Sequence, residues 1–341
     1  MKKIIKLIGF TFVSVVASVN VAHADTIDKV KARGHVECGV STGGTPGFAY
    51  LNKDNTWQGL DIDTCRMVAA AVLGDANKVV FNPLESKERF TALQSGDIDM
   101  LSRVTTWTLS RDTKLAFDFA AVNYYDGQGF IVSSKLDVKS ARDLDGATIC
   151  TQSGTSSELN TADFFKANDI KYNTVVFEKS SEARSAFFSG RCDAFSSDAS
   201  WLAALRIQAP NSSDFEVLPD IISKEPLGPL VRHGDNRWKD VVAWAFYASV
   251  EAEELGLTSA NVDKIRATTT NPAVKRFLGV EGNLGEMLGI RADYAYQIIK
   301  NIGNYGEVFE RNVGKDSILK LPRGLNALWN KGGLQYAPPA R

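Results

Sequence analysis

Histidine is scarce: the 341 residues hold three, of which His35 and His233 lie outside the N-terminal leader-like stretch, and neither has a metal-ligating neighbour at helical spacing. An imidazole-based metal site is therefore a poor fit. Of the four cysteines, no two form a C-x-x-C pair, which speaks against zinc-ribbon and thioredoxin-like chemistry. Positive charge is not in excess, with 39 Lys plus Arg against 40 Asp plus Glu and a net charge of −1. Nothing in that balance neutralises a phosphate backbone, so no nucleic-acid partner is expected. The chain has no G-x-x-x-x-G-K, and Gly127-Gln128-Gly129 lacks the rest of a dinucleotide fingerprint, so no cofactor is expected. No apolar run reaches the roughly 20 residues that a membrane-spanning helix needs. What remains is ordinary globular composition, 44% hydrophobic, 23% charged and 10% aromatic, long enough for two domains or one large α/β unit.

The N-terminus carries export signals. Lys2, Lys3 and Lys6 precede the apolar stretch Leu7 to Ala17, and Ala22-His23-Ala24 is an A-x-A cleavage site. Residues 1–24 are expected to be a signal peptide cleaved after Ala24, which delivers a soluble exported protein. In an oxidising compartment Cys38, Cys65, Cys150 and Cys192 are expected to form disulfides, and four cysteines allow three pairings.

The chain also repeats itself. A strand at 35–40, a Gly-rich loop, a helix over 61–73, a strand at 78–81, a helix over 86–95 and a strand from Asp97 to Ser102 form the first copy. The order returns as a strand at 147–150, a small-residue loop, a helix over 158–167, a strand at 174–177, a helix over 181–189 and a strand at 192–196. Glu88, Ala92, Ser95, Gly96 and Asp99 recur 94 residues later as Glu182, Ala186, Ser189, Gly190 and Asp193. Strand–helix alternation predicts parallel strands flanked by helices, an α/β fold of two similar lobes. Ligands of such sheets bind beyond the carboxyl ends of the strands, here in a cleft between lobes.

The loops at those strand ends hold the candidate residues. Thr105 to Arg111 follows the third strand of the first copy, and Asp198 follows its counterpart in the second. Shifting Asp198 back by 94 lands on Val104, so the two loops stand on opposite walls. A guanidinium facing a carboxylate is complementary to a zwitterion: arginine takes a carboxylate through two parallel hydrogen bonds, and aspartate accepts from an ammonium. The alternatives are plain ones. Asp198 could cap the helix that follows, and Arg111 could be a solvated charge beside Asp112.

The segments GLDID (59–63), TALQSGDIDM (91–100), TTWTLSRD (105–112), LDGATICTQSGTS (144–156) and GRCDAFSSD (190–198), in that order and spacing, resemble the amino-acid-binding periplasmic proteins of ABC transporters. The likeness is greatest to the general L-amino-acid-binding branch. It implies a two-lobed fold of the type II periplasmic-binding-protein kind, with parallel-rich sheets, a hinge and a cleft. Lobe 1 is then 25–126 plus 228–341 and lobe 2 is 127–227. The implied partners are an L-amino acid and the membrane permease of an ABC transporter, with a monomer as the expected state. The resemblance makes Arg111 the clamp on the α-carboxylate, aided by a backbone N–H near Ser156. Thr106 and the Val104 carbonyl would hold the α-ammonium with Asp198 as counter-charge, and Gln152 and Thr155 would line the lobe 2 wall. Many family members place an aromatic lid two residues before Pro46, where this chain has Gly44.

With that lid gone, Ser41, Ser86 and Gln152 surround the side-chain region, no fixed charge is expected there, and specificity should be broad. Phe48, Trp57 and Trp107 could supply apolar wall, although core is the more ordinary place for an aromatic. A bridge between lobes would staple a cleft that has to open, which selects Cys38–Cys65 and Cys150–Cys192. Two other functions share this sequence pattern: an exported cyclohexadienyl dehydratase-like enzyme and a ligand carrier for a chemoreceptor. The first requires a buried general acid, and only Asp198 is available for it. Gly39-Val40-Ser41-Thr42-Gly43 matches G-x-S-x-G but lacks the helix and the partner order of a nucleophile elbow.

Overall fold

The computed structural model describes residues 25–42 and 44–341, so the leader-like stretch and its expected cleavage site lie outside the described residues. Helix α1 (Thr26–Arg33) starts on Asp25, whose side chain accepts from the Asp28 N–H, and ends on left-handed Gly34. Strand β1 (Val36–Ser41) leads into an antiparallel meander of β2 (Gly44–Thr45), β3 (Ala49–Leu51) and β4 (Trp57–Gln58). The meander runs into helix α2 (Leu60–Leu73) through Gly59, at φ +132°, where a Cβ would stand 2.0 Å from the Phe48 carbonyl oxygen. Only glycine fits that approach. Strand β5 (Val79–Leu84), helix α3 (Glu88–Ser95) and strands β6 (Met100–Leu101) and β7 (Phe117–Phe119) follow.

A second unit is built from β8 (Tyr124–Ser133), β9 (Thr148–Gln152), α4 (Ser156–Ala167), β10 (Asn173–Phe177) and α5 (Ser180–Phe188). It continues with β11 (Ala194–Asp198), α6 (Ala199–Gln208), β12 (Phe215–Val217) and β13 (Ser223–Leu227). Strand β14 (Leu230–Arg232) then returns to the first sheet, whose order is β5-β1-β6-β14-β7; the second runs β10-β9-β11-β8-β12, with β13 also paired to β8.

The repeat seen in the sequence is a repeat of topology, because β5-β1-β6 and β10-β9-β11 are equivalent parallel triplets. The recurring aspartate explains part of it. Asp99 donates its N–H to the Glu37 carbonyl and accepts the Glu37 N–H on its side chain, both at 2.8 Å. Asp193 does the same with Thr148, at 2.8 and 2.7 Å. Each aspartate therefore ties the start of its third strand to the first. Strand β6 is shorter than the Asp97–Ser102 expectation because the N–H groups of Asp97 and Ile98 turn back to the Ala92 carbonyl and close helix α3. Helix α4 begins at Ser156, earlier than the expected Glu158.

The sheets are mixed rather than wholly parallel. The chain crosses between them as two neighbouring antiparallel strands, β8 and β13, in register from Tyr124↔Leu227 to Gln128↔Ser223. Both disulfides stay within one sheet unit: Cys38–Cys65 joins β1 to α2, and Cys150–Cys192 joins β9 to the turn before β11.

The remaining chain is helical: α7 (Asn236–Glu254), α8 (Val262–Thr268), α9 (Pro272–Phe277), α10 (Leu284–Met287), α11 (Tyr294–Asn301) and α12 (Tyr305–Asn312). Trp238, Val242 and Phe246 of α7 share one core with Val68 and Ala69 of α2 and with Tyr305 and Phe309 of α12. The last residues return to the crossing strands. Asn326 pairs with both backbone groups of Tyr125, at 2.7 and 3.0 Å, and Gln335 donates to the Val122 carbonyl.

Candidate functional site

A cavity between the two sheets is lined by every residue that the sequence singled out for ligand contact: Ser41, Ser86, Val104, Thr106, Arg111, Gln152, Thr155, Ser156 and Asp198. Its walls meet around the rim. Gln152 Nε2 donates to Glu85 Oε2 at 3.0 Å, Lys87 Nζ to Glu178 Oε1 at 2.7 Å, and Gln208 Nε2 to the Gly44 carbonyl at 3.1 Å. Gly154, at φ +75°, lets the second wall come so near that a Cβ there would stand 3.1 Å from Lys87 Cγ.

The first wall is the loop after β6. Buried Asp61 on α2 holds it by accepting from Ser102 Oγ at 2.9 Å and from the Val104 N–H at 3.0 Å. Val104 sits at φ +40°, a strained conformation for a β-branched residue. Arg111 lies on a π-helical turn (Ser110–Lys114), where Nη1 donates to the Thr106 carbonyl at 2.8 Å. It is buried, which rules out the solvated alternative, and burial pulls its pKa down against the opposing charges of Glu225 and Asp198.

The second wall offers a helix N-terminus and a carboxylate. The N-cap of α4, Thr155, makes no capping bond; its hydroxyl donates instead to the Gln152 carbonyl at 2.6 Å. The first N–H groups of a twelve-residue helix therefore face the cavity without a side-chain acceptor. Asp198 is the N-cap of α6 and likewise makes no capping bond, contrary to the plain alternative. It is buried, and its Oδ1 has no hydrogen-bond partner among the described residues. Burial pushes its pKa well above the carboxylate range, and neighbouring Asp126 and Glu225 push it further.

Several residues at the site were not read from the sequence. Glu225 on β13 is buried and accepts from Thr106 Oγ1, from Ser223 Oγ, from Ser156 Oγ at 2.9 Å and from Asn160 Nδ2 at 2.7 Å. By taking the Thr106 proton it leaves that hydroxyl's lone pairs to accept from a donor. Arg89 on α3 turns its Nη groups on the protein itself, donating to the Arg103 carbonyl, Thr105 Oγ1 and, across the cleft, the Gly154 carbonyl, each at 3.2 Å, and to the Val104 carbonyl at 3.5 Å, while its buried Nε has no partner among the described residues. Its place four residues before buried Leu93, on the apolar face of α3, was the available sequence signal. Arg103 also lines the cavity, so the expectation of no fixed charge in the side-chain region fails. None of the three candidate aromatics lines the cavity: Phe48 lies in the core with Trp57 packed against that core, the more ordinary place, and Trp107 is partly exposed. Phe48 packs edge-on to Tyr124 at 5.2 Å, Trp57 against Phe81 at 6.0 Å and Trp107 flat on Phe119 at 5.3 Å. Trp201 and Phe195, from the opposite wall, line the cavity instead.

Comparison with known proteins agrees with this architecture. Residues 37–260 match the model of the bacterial extracellular solute-binding proteins, family 3. The chain is 55% identical to the general L-amino acid-binding periplasmic protein AapJ of Rhizobium johnstonii, over 98% of this chain and 97% of that one. It is 54% identical to the glutamate/glutamine/aspartate/asparagine-binding protein BztA of Rhodobacter capsulatus, over 94% of each. A solved ABC transporter periplasmic binding protein from Brucella ovis with glutathione bound is 55% identical and superimposes with a TM-score of 0.91, over 94% of this chain and 100% of that one. The fold is the two-lobed periplasmic-binding-protein fold, and the chain belongs to the bacterial extracellular solute-binding proteins, family 3.

Proposed function

We propose that this protein, exported with loss of residues 1–24, works in the periplasm as a monomer. It captures L-amino acids between lobe 1 (25–126 plus 228–341) and lobe 2 (127–227) and delivers them to an ABC transporter permease. The observation that carries this is the pairing across the cavity of buried Arg111 with buried Asp198, whose Oδ1 has no partner among the described residues. Two opposite charges held on facing walls suit a ligand with a carboxylate at one end of its α-carbon and an ammonium at the other. Arg111 and the N–H groups at Ser156 take the α-carboxylate. Asp198, the Thr106 hydroxyl and the Val104 carbonyl take the α-ammonium. Ser41, Ser86, Gln152 and Thr155 complete the walls. A ligand that touches both lobes favours the closed arrangement through those differential contacts. Specificity for the side chain is broad, because Gly44 offers no aromatic lid. The relatives named for amino-acid binding support this reading, and the enzyme alternative has no such support.

The test is calorimetry of the purified ligand-free protein against the twenty amino acids, together with an amine and a carboxylate that each lack the other group. Several L-amino acids should bind, and the truncated compounds should bind at least about a hundredfold more weakly, since one wall is left unpaired. Amino acids should be recovered unchanged after prolonged incubation. Failure of every amino acid to bind, or turnover of one, overturns the proposal.

A further inference from the structure

Two cations that line the cavity, Arg89 and Arg103, are not used by the zwitterion, and Arg89 turns its Nη donors on the protein itself. Arg103 is buried, and its one side-chain hydrogen bond among the described residues runs from Nε to the Leu84 carbonyl, at 2.8 Å. Leu84 ends β5 in register with Ser41 of β1, and Ser86 follows two residues later. The Arg103 guanidinium is thus moored to the strand that carries the Ser41 and Ser86 side of the cavity, whereas Arg111 is moored to the Thr106 carbonyl. Arg103 forms no ion pair among the described residues.

Of its acidic neighbours, Glu85 and Asp61 are engaged elsewhere, and Asp198 is the carboxylate that the amino-acid-binding reading gives to the ligand's ammonium. Glu85 accepts from Gln152 across the cleft, and Asp61 accepts from Ser102, Val104 and Asn123. Burial lowers the Arg103 pKa to about 10, which still leaves a full positive charge at neutral pH. A buried guanidinium without a carboxylate partner is costly unless something else supplies the negative charge. Beside it, buried Ser86 has a hydroxyl with no hydrogen-bond partner among the described residues, and it lines the same cavity. The Arg103 Nη groups and the Ser86 hydroxyl are thus donors that no acceptor receives among the described residues.

We propose that Arg103, with Ser86 beside it, receives a second carboxylate carried by the ligand's side chain, so that the broad pocket ranks dicarboxylic amino acids first. This rests on the amino-acid-binding reading. A side-chain carboxylate accepts from the guanidinium fork in bidentate fashion and from Ser86. A side-chain amide offers one oxygen and turns an N–H₂ group toward a cation. A basic side chain meets like charge. The order is therefore glutamate before glutamine, with lysine last.

The experiment is calorimetry with L-glutamate, L-glutamine and L-lysine on ligand-free wild type, Arg103→Met, Arg103→Lys and Ser86→Ala, with circular dichroism confirming the fold of each. Wild type should bind glutamate at least about tenfold tighter than glutamine. Arg103→Met should weaken glutamate by at least about thirtyfold and glutamine by less than about threefold, which erases or reverses the preference. Arg103→Lys keeps the charge without the fork and should fall between; it carries the test if the Met variant does not fold. Ser86→Ala should weaken glutamate more than glutamine. Equal losses for both ligands in the Arg103 variants, or no glutamate preference in wild type, overturn the inference. Failure of wild type to bind any of the three instead removes the amino-acid-binding reading itself.

Discussion

Arg111 and Asp198 are charged side chains whose burial makes sense once a zwitterion joins them, and that fixes what their removal should do. Arg111→Ala should cost about 2–5 kcal/mol of amino-acid binding, because the ligand carboxylate is then enclosed without its counter-charge. Asp198→Asn should weaken binding at the other end, and calorimetry showing wild-type affinity in both variants would sink the assignment. The raised pKa of Asp198 adds a pH signature. An ammonium beside it favours the ionised form and so lowers that pKa, which means that binding releases a proton wherever the free protein holds Asp198 protonated. Affinity should therefore fall as pH drops through the ligand-free pKa, above the ordinary carboxylate range, and the loss should be missing in Asp198→Asn. Titrations in buffers of different ionisation enthalpy read the released proton directly. These two residues were legible because the repeat offset put them at equivalent strand ends. Arg103 and Glu225 were not, because their roles depend on which groups they reach in space: Leu84, 19 residues from Arg103, and Thr106, 119 residues from Glu225.

Among the elements, the repeated aspartates and the disulfides carry the pattern most visible in the sequence. Asp193→Ala removes the acceptor of the Thr148 N–H where β9 begins, and the same change at Asp99 frees the Glu37 N–H and the Arg33 guanidinium. Each should lower stability by about 1–2 kcal/mol, the cost of an unpaired, partly buried donor. Denaturant titration of both variants checks this, and no shift in either would show that the recurrence is incidental. The Cys150–Cys192 bridge closes a separation of 42 residues, and the Cys150→Ala/Cys192→Ala double variant should lose roughly 4 kcal/mol on the chain-entropy argument. Strand–helix alternation and the 94-residue offset were enough to place β1, β5, β6 and β9 to β11, because local patterning dictates them. Strands β8, β13 and β14 escaped it. Their pairing joins residues about a hundred apart, as in Tyr124↔Leu227, and no local period announces such a partner.

On the scale of the whole molecule, the segment beyond α12, together with Tyr305 at the start of that helix, ties one of the two crossing strands to the first sheet unit. Arg323 pairs with Glu253 of α7 at 3.0 Å and donates to the Asn326 carbonyl, which anchors the tail on the first lobe. From there Asn326 holds both backbone groups of Tyr125, Tyr305 donates to the Asn123 carbonyl at 2.9 Å and Gln335 donates to the Val122 carbonyl at 3.3 Å. Residues 122–125 are thereby tied to the first sheet unit, and on the proposed closure mechanism the pivot would fall at the residues after them, starting at Asp126 and Gly127. Asn326→Ala frees the Tyr125 groups and should cost about 1–3 kcal/mol in stability. It should also let the pivot slide back toward Val122. Small-angle scattering should then show a larger radius of gyration for the ligand-free variant than for ligand-free wild type, while the two ligand-bound forms scatter alike. Identical ligand-free scattering, with only the stability lowered, would reduce the tail to a packing element and leave the position of the pivot to the crossing strands alone.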